Sequence, residues 1–363
     1  MFDVKRMPPF LLSLVGTSLF GCAGAPAPEA VAPTPEQVLA AEAKSEASES
    51  ADAAVVASGA APAETLDLSS WKLTLPELDP GRGKAREVKE EMLNGTNGAK
   101  AYVHERWFFV DEESKAIVFK TPNHLATTKN SKNTRSELRE MVRAGDTNID
   151  TKSPGNNWVI STHPQAADYG AIGGKLSAKL AVDWVSTSGD ENKFSAHSVV
   201  VGQIHGSGKT EPLKIFYRKL PGHKLGSLFW NYEIRPENQD DRTDVPNDVW
   251  GSHLLKGADA EPKDGIALGE EFSYVVDVAG TVMTLTFTKK DGTEKKAVHD
   301  LSKGHASHSI DRGYSDDWMY FKAGAYNQCN LGTEGIWGSS CDNRGEKEGD
   351  YTQVRFFALD VSH

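Results

Sequence analysis

Little in this 363-residue chain is helical in pattern, rich in sulfur or basic. Apolar residues at helical spacing are scarce, and beyond residue 65 the segment 84–93 could hold one short helix. The apolar stretch at residues 8–20 is too short to cross a bilayer as a helix. Lysine and arginine number 40 against 51 aspartates and glutamates, a formal net charge of −11. That balance excludes the basic face of a nucleic-acid binder. A site for a polyanion would have to be a local basic groove on an acidic body. Hydrophobic residues make up 38% of the chain and mean hydropathy is −0.47, lean for a fully packed globule, so part of the chain lies outside any core. There are three cysteines and no convincing metal-binding cluster, so no metal and no other cofactor is expected.

What is present begins with residues 1–22, which read as a bacterial export signal. Lys5 and Arg6 precede the apolar segment. It ends in Leu19-Phe20-Gly21-Cys22, which resembles a lipobox, the processing site of bacterial lipoproteins. Gly21 is the small residue wanted before the cysteine, and Phe20 departs from the usual pattern. The resemblance implies that Cys22 becomes the lipidated first residue and anchors the protein to a membrane. Ala23, in place of aspartate, then directs it to the outer membrane or cell surface. An ordinary cleaved signal with a chance cysteine, giving a secreted or periplasmic protein, is the alternative.

Residues 23–64 are almost entirely Ala, Pro, Glu, Ser and Val, with no aromatic residue. Such a stretch cannot bury enough apolar surface to offset its conformational entropy and reads as a solvated tether, with a short helix possible at 37–47. The remaining cysteines, Cys329 and Cys341, are twelve residues apart. In an oxidising compartment they can form a disulfide that contributes about 3 kcal/mol at most. Two unpaired buried thiols are the alternative.

From residue 65 to 363 the texture changes to short runs of alternating apolar and polar residues, separated by Gly, Asn, Asp and Pro. Strands are predicted at 71–75, 116–120, 175–182, 198–205, 214–218, 320–328 and 352–361, with a hairpin over 272–288 turning at Ala279-Gly280. This is an all-β pattern at sandwich spacing in one domain. The surplus length is assigned to long loops such as 237–270, placed to wall a cleft.

Three of these strands carry chemistry on one face, because successive side chains of a strand point to opposite sides. In Arg135-Ser136-Glu137-Leu138-Arg139 the charged residues share a face, with Glu137 positioned to hold both guanidinium groups. In the strand 198–205, Gln203 and His205 share a face. In Tyr320-Phe321-Lys322-Ala323-Gly324-Ala325-Tyr326-Asn327-Gln328, the residues Tyr320, Lys322, Gly324, Tyr326 and Gln328 do so. Gly324 leaves a gap where a substrate could approach the backbone. Taken singly, each strand also fits a solvated sheet face.

Together, and in this order, they resemble the three signature motifs of the alginate lyases of polysaccharide lyase family 7: R-x-E-L-R, Q-[IV]-H and Y-F-K-x-G-x-Y-x-Q. The opening Leu68-Ser69-Ser70-Trp71-Lys72-Leu73-Thr74-Leu75-Pro76 resembles that family's first strand. The resemblance implies a jelly-roll β-sandwich of two antiparallel sheets, one of them concave and carrying the substrate groove. It implies cleavage of a 1,4-linked uronate polymer by β-elimination, leaving a 4,5-unsaturated sugar.

That reaction must neutralise the uronate carboxylate, accept the C5 proton and protonate the departing C4 oxygen. By the resemblance, Arg135 and Gln203, helped by His205, neutralise; His205 and Tyr326 move the protons. Glu137, Arg139, Tyr320, Lys322 and Gln328 complete the substrate-binding surface. Histidine, with a reference pKa of about 6.5, suits a base and tyrosine, near 10, an acid. Lys322 or a nearby arginine is expected to lower the Tyr326 pKa. Ile204, the middle residue of the second motif, implies a preference for guluronate-containing blocks. A lyase on another polyuronate such as glucuronan, or a non-catalytic surface carbohydrate-binding module, are the rival readings. A monomer is expected.

Overall fold

The computed structural model describes residues 59–363 other than Asn97 and Ile336. Cys22, the export signal, the possible helix at 37–47 and most of the expected tether lie outside the described residues. The last residues assigned to that tether take part in a helical turn, Pro62–Thr65, at which Ala61 and Pro62 are buried.

The strands, in chain order, are β1 (Trp71–Asp79), β2 (Lys84–Val88), β3 (Phe108–Val110), β4 (Ile117–Pro122), β5 (Arg135–Glu140), β6 (Trp158–Val159), β7 (Ala171–Ile172), β8 (Gly174–Trp184) and β9 (Ser198–Gly206). They continue with β10 (Leu213–Arg218), β11 (Leu225–Glu233), β12 (Asp244–Trp250), β13 (Ile266–Ala267), β14 (Glu271–Ala279), β15 (Val282–Lys289), β16 (Glu294–Asp300), β17 (Met319–Asn327) and β18 (Tyr351–Ser362). They form two sheets, antiparallel apart from the short β6–β7 pair. The larger runs β12-β11-β10-β9-β17-β5-β1-β2, and the smaller β16-β15-β14-β8-β18-β4-β3. The three strands singled out from the sequence are neighbours, with β17 between β9 and β5. Bringing together residues so distant in the chain is work done by the jelly-roll crossing, since no local pattern pairs them.

The core lies between the sheets. Leu73, Leu138, Ile204, Ile215, Trp230, Phe321 and Ala323 of the larger sheet meet Leu176, Leu180, Phe272, Val276, Leu285 and Phe356 of the smaller. Each fully buried large side chain contributes about 1.5–3 kcal/mol, so this alternate set of positions fixes which face of each strand turns inward.

The expected strands and the 272–288 hairpin are present, with Gly280 supplying the positive φ of the turn. Two expectations need correction. Residues 84–93 form no single helix: β2 occupies 84–88, where Ala85 and Val88 fit a sheet face, and only Glu90–Asn94 is helical. The segment 237–270 is not all loop, because β12 and β13 pair there with β11. The polar Asp244-Val245-Pro246-Asn247-Asp248 hid β12; its proline is tolerated because β12 ends the sheet order.

Candidate active site

The outer face of the larger sheet, turned away from the core, carries the site. Register places Tyr320 beside His205, Lys322 between Gln203 and Arg139, Gly324 beside Glu137, and Tyr326 beside Arg135. All nine expected site residues therefore fall on three adjacent strands or at the end of β17.

Glu137 is the hub. Its carboxylate accepts from Arg135 Nη1 at 2.9 Å, and from Lys322 Nζ and Gln203 Nε2 at close range. Relative exposure is 8% for Arg135, 2% for Glu137, 1% for Gln203 and 6% for Lys322, so this is a buried charge network and not a solvated ion pair. One carboxylate faces two cations, leaving local positive charge on an acidic protein. Burial and the Arg135 charge press the Lys322 ammonium down to about 8, while Glu137 pulls the other way. Arg135 Nε and Gln203 Oε1 are buried without a partner in the protein. Such atoms are costly to leave unpaired and mark positions that a bound ligand can satisfy.

Tyr326 lies under the Arg135 guanidinium, 3.8 Å from ring centroid to Cζ, and its hydroxyl meets Ser131 Oγ at 3.2 Å. Its pKa is raised, contrary to expectation: burial outweighs the lowering by Arg135. Tyr326 is thus held protonated, as an acid requires. His205 stacks on Tyr320, centroids 5.0 Å apart and 13° from parallel, and Arg139 covers Tyr320 at 4.0 Å. His205 Nδ1 faces the Gly206 carbonyl at 2.9 Å. In the neutral ring that nitrogen must be the donor, which leaves Nε2 with a free lone pair. Burial pushes the His205 pKa down to about 4, partly offset by Glu211, whose Oε1 is 3.7 Å from Nε2.

Three details differ from the sequence reading. Glu137 does not hold Arg139, which donates to the carbonyls of Glu140 (2.6 Å) and Thr151 (3.0 Å) and to Asn157 Oδ1 (2.7 Å). Arg139 thus fastens the segment after β5 and supports Tyr320. Gln328 is buried with its amide on the carbonyls of Tyr326 and Asn327. Gly324 opens no gap for substrate: with φ of 136°, a Cβ there would meet Ser136 O at 2.7 Å and Glu137 Cα at 2.9 Å. Glycine is needed because the β5 backbone approaches closely there, beside an irregular step in the pairing of β17 with β9.

Sequence reasoning missed several neighbours. Lys214 on β10 binds Glu211 and Asp244, both at 2.9 Å, with Glu233 at 3.8 Å. Phe216 and Phe229 continue the row from Tyr326 and Val200 across the same face, covered by Phe194, against which Trp337 packs. The alternation of β10 was the available signal, since Lys214 and Phe216 occupy the face opposite Leu213, Ile215 and Tyr217. Trp337 lies on the loop closed by a disulfide between Cys329 and Cys341, whose Cα atoms are 5.6 Å apart. Among the described residues no group of three or more histidine, cysteine, aspartate or glutamate side chains is arranged to hold a metal ion.

Comparison with known proteins identifies the family. A family model for alginate lyases matches residues 66–363. An alginate lyase of Klebsiella pneumoniae is 36% identical over 311 residues, covering 84% of this chain and 91% of that protein. The crystal structure of the alginate lyase from Klebsiella pneumoniae superposes with a TM-score of 0.70 at 34% identity, covering 84% of this chain and 98% of the other. An exolytic family 7 alginate lyase from Zobellia galactanivorans gives 0.68 at 33% identity, covering 83% and 97%. With the match running from the turn before β1 to the C-terminal strand, and with the three polar strands side by side on one sheet face, the chain belongs to the alginate lyases of polysaccharide lyase family 7.

Proposed function

We propose that this lyase cleaves alginate by β-elimination, with guluronate-containing blocks preferred. The observation that carries the mechanism is the buried set of Arg135, Lys322 and Gln203 around Glu137, beside a protonated tyrosine and a histidine with a free Nε2. Arg135 and Gln203 take the uronate carboxylate and hold the charge that develops when C5 is deprotonated. A well-placed donor of this kind lowers the barrier by about 3–4 kcal/mol. In guluronate, H5 and the C4 oxygen leave from opposite sides. His205 Nε2 accepts the C5 proton, the C5–H electron pair forms the C4–C5 double bond, the C4–O bond breaks, and Tyr326 protonates the departing oxygen. In mannuronate both leave from one side, so Tyr326 must first lose its own proton to act as base before acting as acid; its raised pKa disfavours that route and so favours guluronate. Glu137 and Lys322 hold the clamp; Arg139, Tyr320 and Gln328 hold its neighbours.

Ile204 supports the guluronate preference indirectly. It is buried in the core between Gln203 and His205, so it acts through the seating of β9 and touches no sugar. The test is ultraviolet absorbance of the unsaturated product on polyguluronate, polymannuronate and glucuronan separately. A faster rise on polyguluronate than on polymannuronate is expected; equal rates, or mannuronate ahead, would sink the preference, and no rise on either would sink the mechanism. The catalytic domain works as a monomer in this reading. The chain is exported and lipidated at Cys22, reaching the outer membrane or cell surface. Cys22→Ser should release it from membranes; continued sedimentation with them would overturn the anchor.

A further inference from the structure

Glu211 was invisible as a functional residue in the sequence, yet it approaches the free nitrogen of His205. It stands in the turn between β9 and β10, where Gly206 N donates to Thr210 O at 2.8 Å. Asp317 fastens that turn by accepting from Ser207 N at 3.1 Å and Thr210 Oγ1 at 3.0 Å. Lys214 Nζ holds one Glu211 oxygen at 2.9 Å, and the Glu211 N–H donates to Glu233 Oε1 at 3.2 Å. The other oxygen, Oε1, is left 3.7 Å from His205 Nε2. While the ring is neutral this places a carboxylate opposite a lone pair, and nothing is gained. Once Nε2 has taken a proton, the same placement pairs an anion with a cation in a largely buried setting, where the attraction is much stronger than in water.

We propose that Glu211 is a positioning residue for His205, stabilising the imidazolium formed when Nε2 removes the C5 proton and so setting the efficiency of guluronate cleavage. This rests on the assignment of His205 as the base for guluronate. The other groups around His205 act in the opposite sense or are uncharged. Lys322 from β17 and Arg135 from β5 both disfavour the imidazolium, Tyr320 from β17 stacks on the ring, and the Gly206 carbonyl fixes Nδ1. Glu137 is engaged by Arg135, Lys322 and Gln203, and Lys214 by the carboxylates around it. Glu211 is therefore the nearby anion left to offset Lys322 and Arg135 at the ring.

The test is the pH dependence of kcat and kcat/KM on purified polyguluronate and polymannuronate for the wild type, Glu211→Gln, Glu211→Asp and His205→Asn, with thermal unfolding recorded for each. Glu211→Gln should lower kcat on polyguluronate about tenfold. It should move the acid limb of that profile down by about 0.5–1 pH unit, because the imidazolium loses its anion. The guluronate-to-mannuronate rate ratio should fall, and Glu211→Asp should lie between. Equal losses on both polymers with the acid limb unmoved, while His205→Asn still loses guluronate cleavage selectively, would reduce Glu211 to a loop fastener and overturn the inference alone. If His205→Asn keeps its guluronate activity, the assignment of the base falls and the inference with it.

Discussion

The two sheets of this sandwich present outer faces that look alike in sequence and differ in physical state. On the smaller sheet, Lys179 pairs with Glu271 at 2.6 Å and Arg355 with Asp183 at 2.8 Å, and these side chains remain partly or largely exposed. Their strands show the ordinary alternation of buried and accessible positions, as in β14 and β15. On the larger sheet, β5 and β10 are buried at every position, charges included. Exposed pairs exchange water for each other at little net gain. A buried carboxylate with two cations and an amide around it depends on every partner, because any one left alone is a desolvated charge. The lesson is that a polar sheet face becomes a site when loops and neighbouring strands take it out of water.

That contrast can be broken from either side. The largest effect is expected from Tyr326→Phe, which should cut kcat by about 10²–10⁴-fold, with oligosaccharide binding and thermal unfolding nearly unchanged; preserved turnover at saturation would contradict the acid role. Next comes a matched pair in the two faces. Glu137→Gln leaves Arg135 and Lys322 buried together and should cost about 3–5 kcal/mol in denaturant unfolding. Asp183→Asn should cost no more than about 1 kcal/mol. Comparable losses would erase the distinction drawn above.

Cys341→Ser, opening the twelve-residue loop that carries Trp337, should cost about 3 kcal/mol at most. Its activity should fall through loosening of the aromatic cover, read as a rise in KM. The pH profile sharpens the comparison further. As the proposed base His205 must be neutral, so activity should fall as pH drops toward its pKa of about 4. As part of the proposed clamp Lys322 must be charged, so activity should also fall as pH rises through about 8. Beyond each limb the slope is about tenfold per pH unit. A plateau extending well above pH 9 would remove Lys322 from the clamp. The smallest effect belongs to Lys179→Ala on the smaller sheet, within about 0.5 kcal/mol and with kcat unchanged.

Much of the site was legible because strand period is two. Counting alternate residues separated Arg135, Glu137 and Arg139 from Leu138, and Lys322 and Tyr326 from Phe321 and Ala325, and the core contains Leu138, Phe321 and Ala325 as that count requires. The count failed where a strand is irregular. In β9 both Val201 and Ile204 face the core while Val200 joins the outer row, because the register slips near Gly202. It also failed at β12, whose proline and aspartates mimic a loop, and at Gly324, whose reason for being glycine is the backbone of another strand.

The sequence by itself determined the all-β class, the inward set of apolar positions and which polar residues share a strand face, since each follows from local period and side-chain chemistry. The tertiary structure alone decided who partners whom. It gave Glu137 to Arg135, Lys322 and Gln203 and withheld it from Arg139; it kept Tyr326 protonated by burial; and it brought Glu211 to His205. Those outcomes depend on desolvation and on contacts between residues far apart in the chain, and neither quantity is written in any short stretch of sequence.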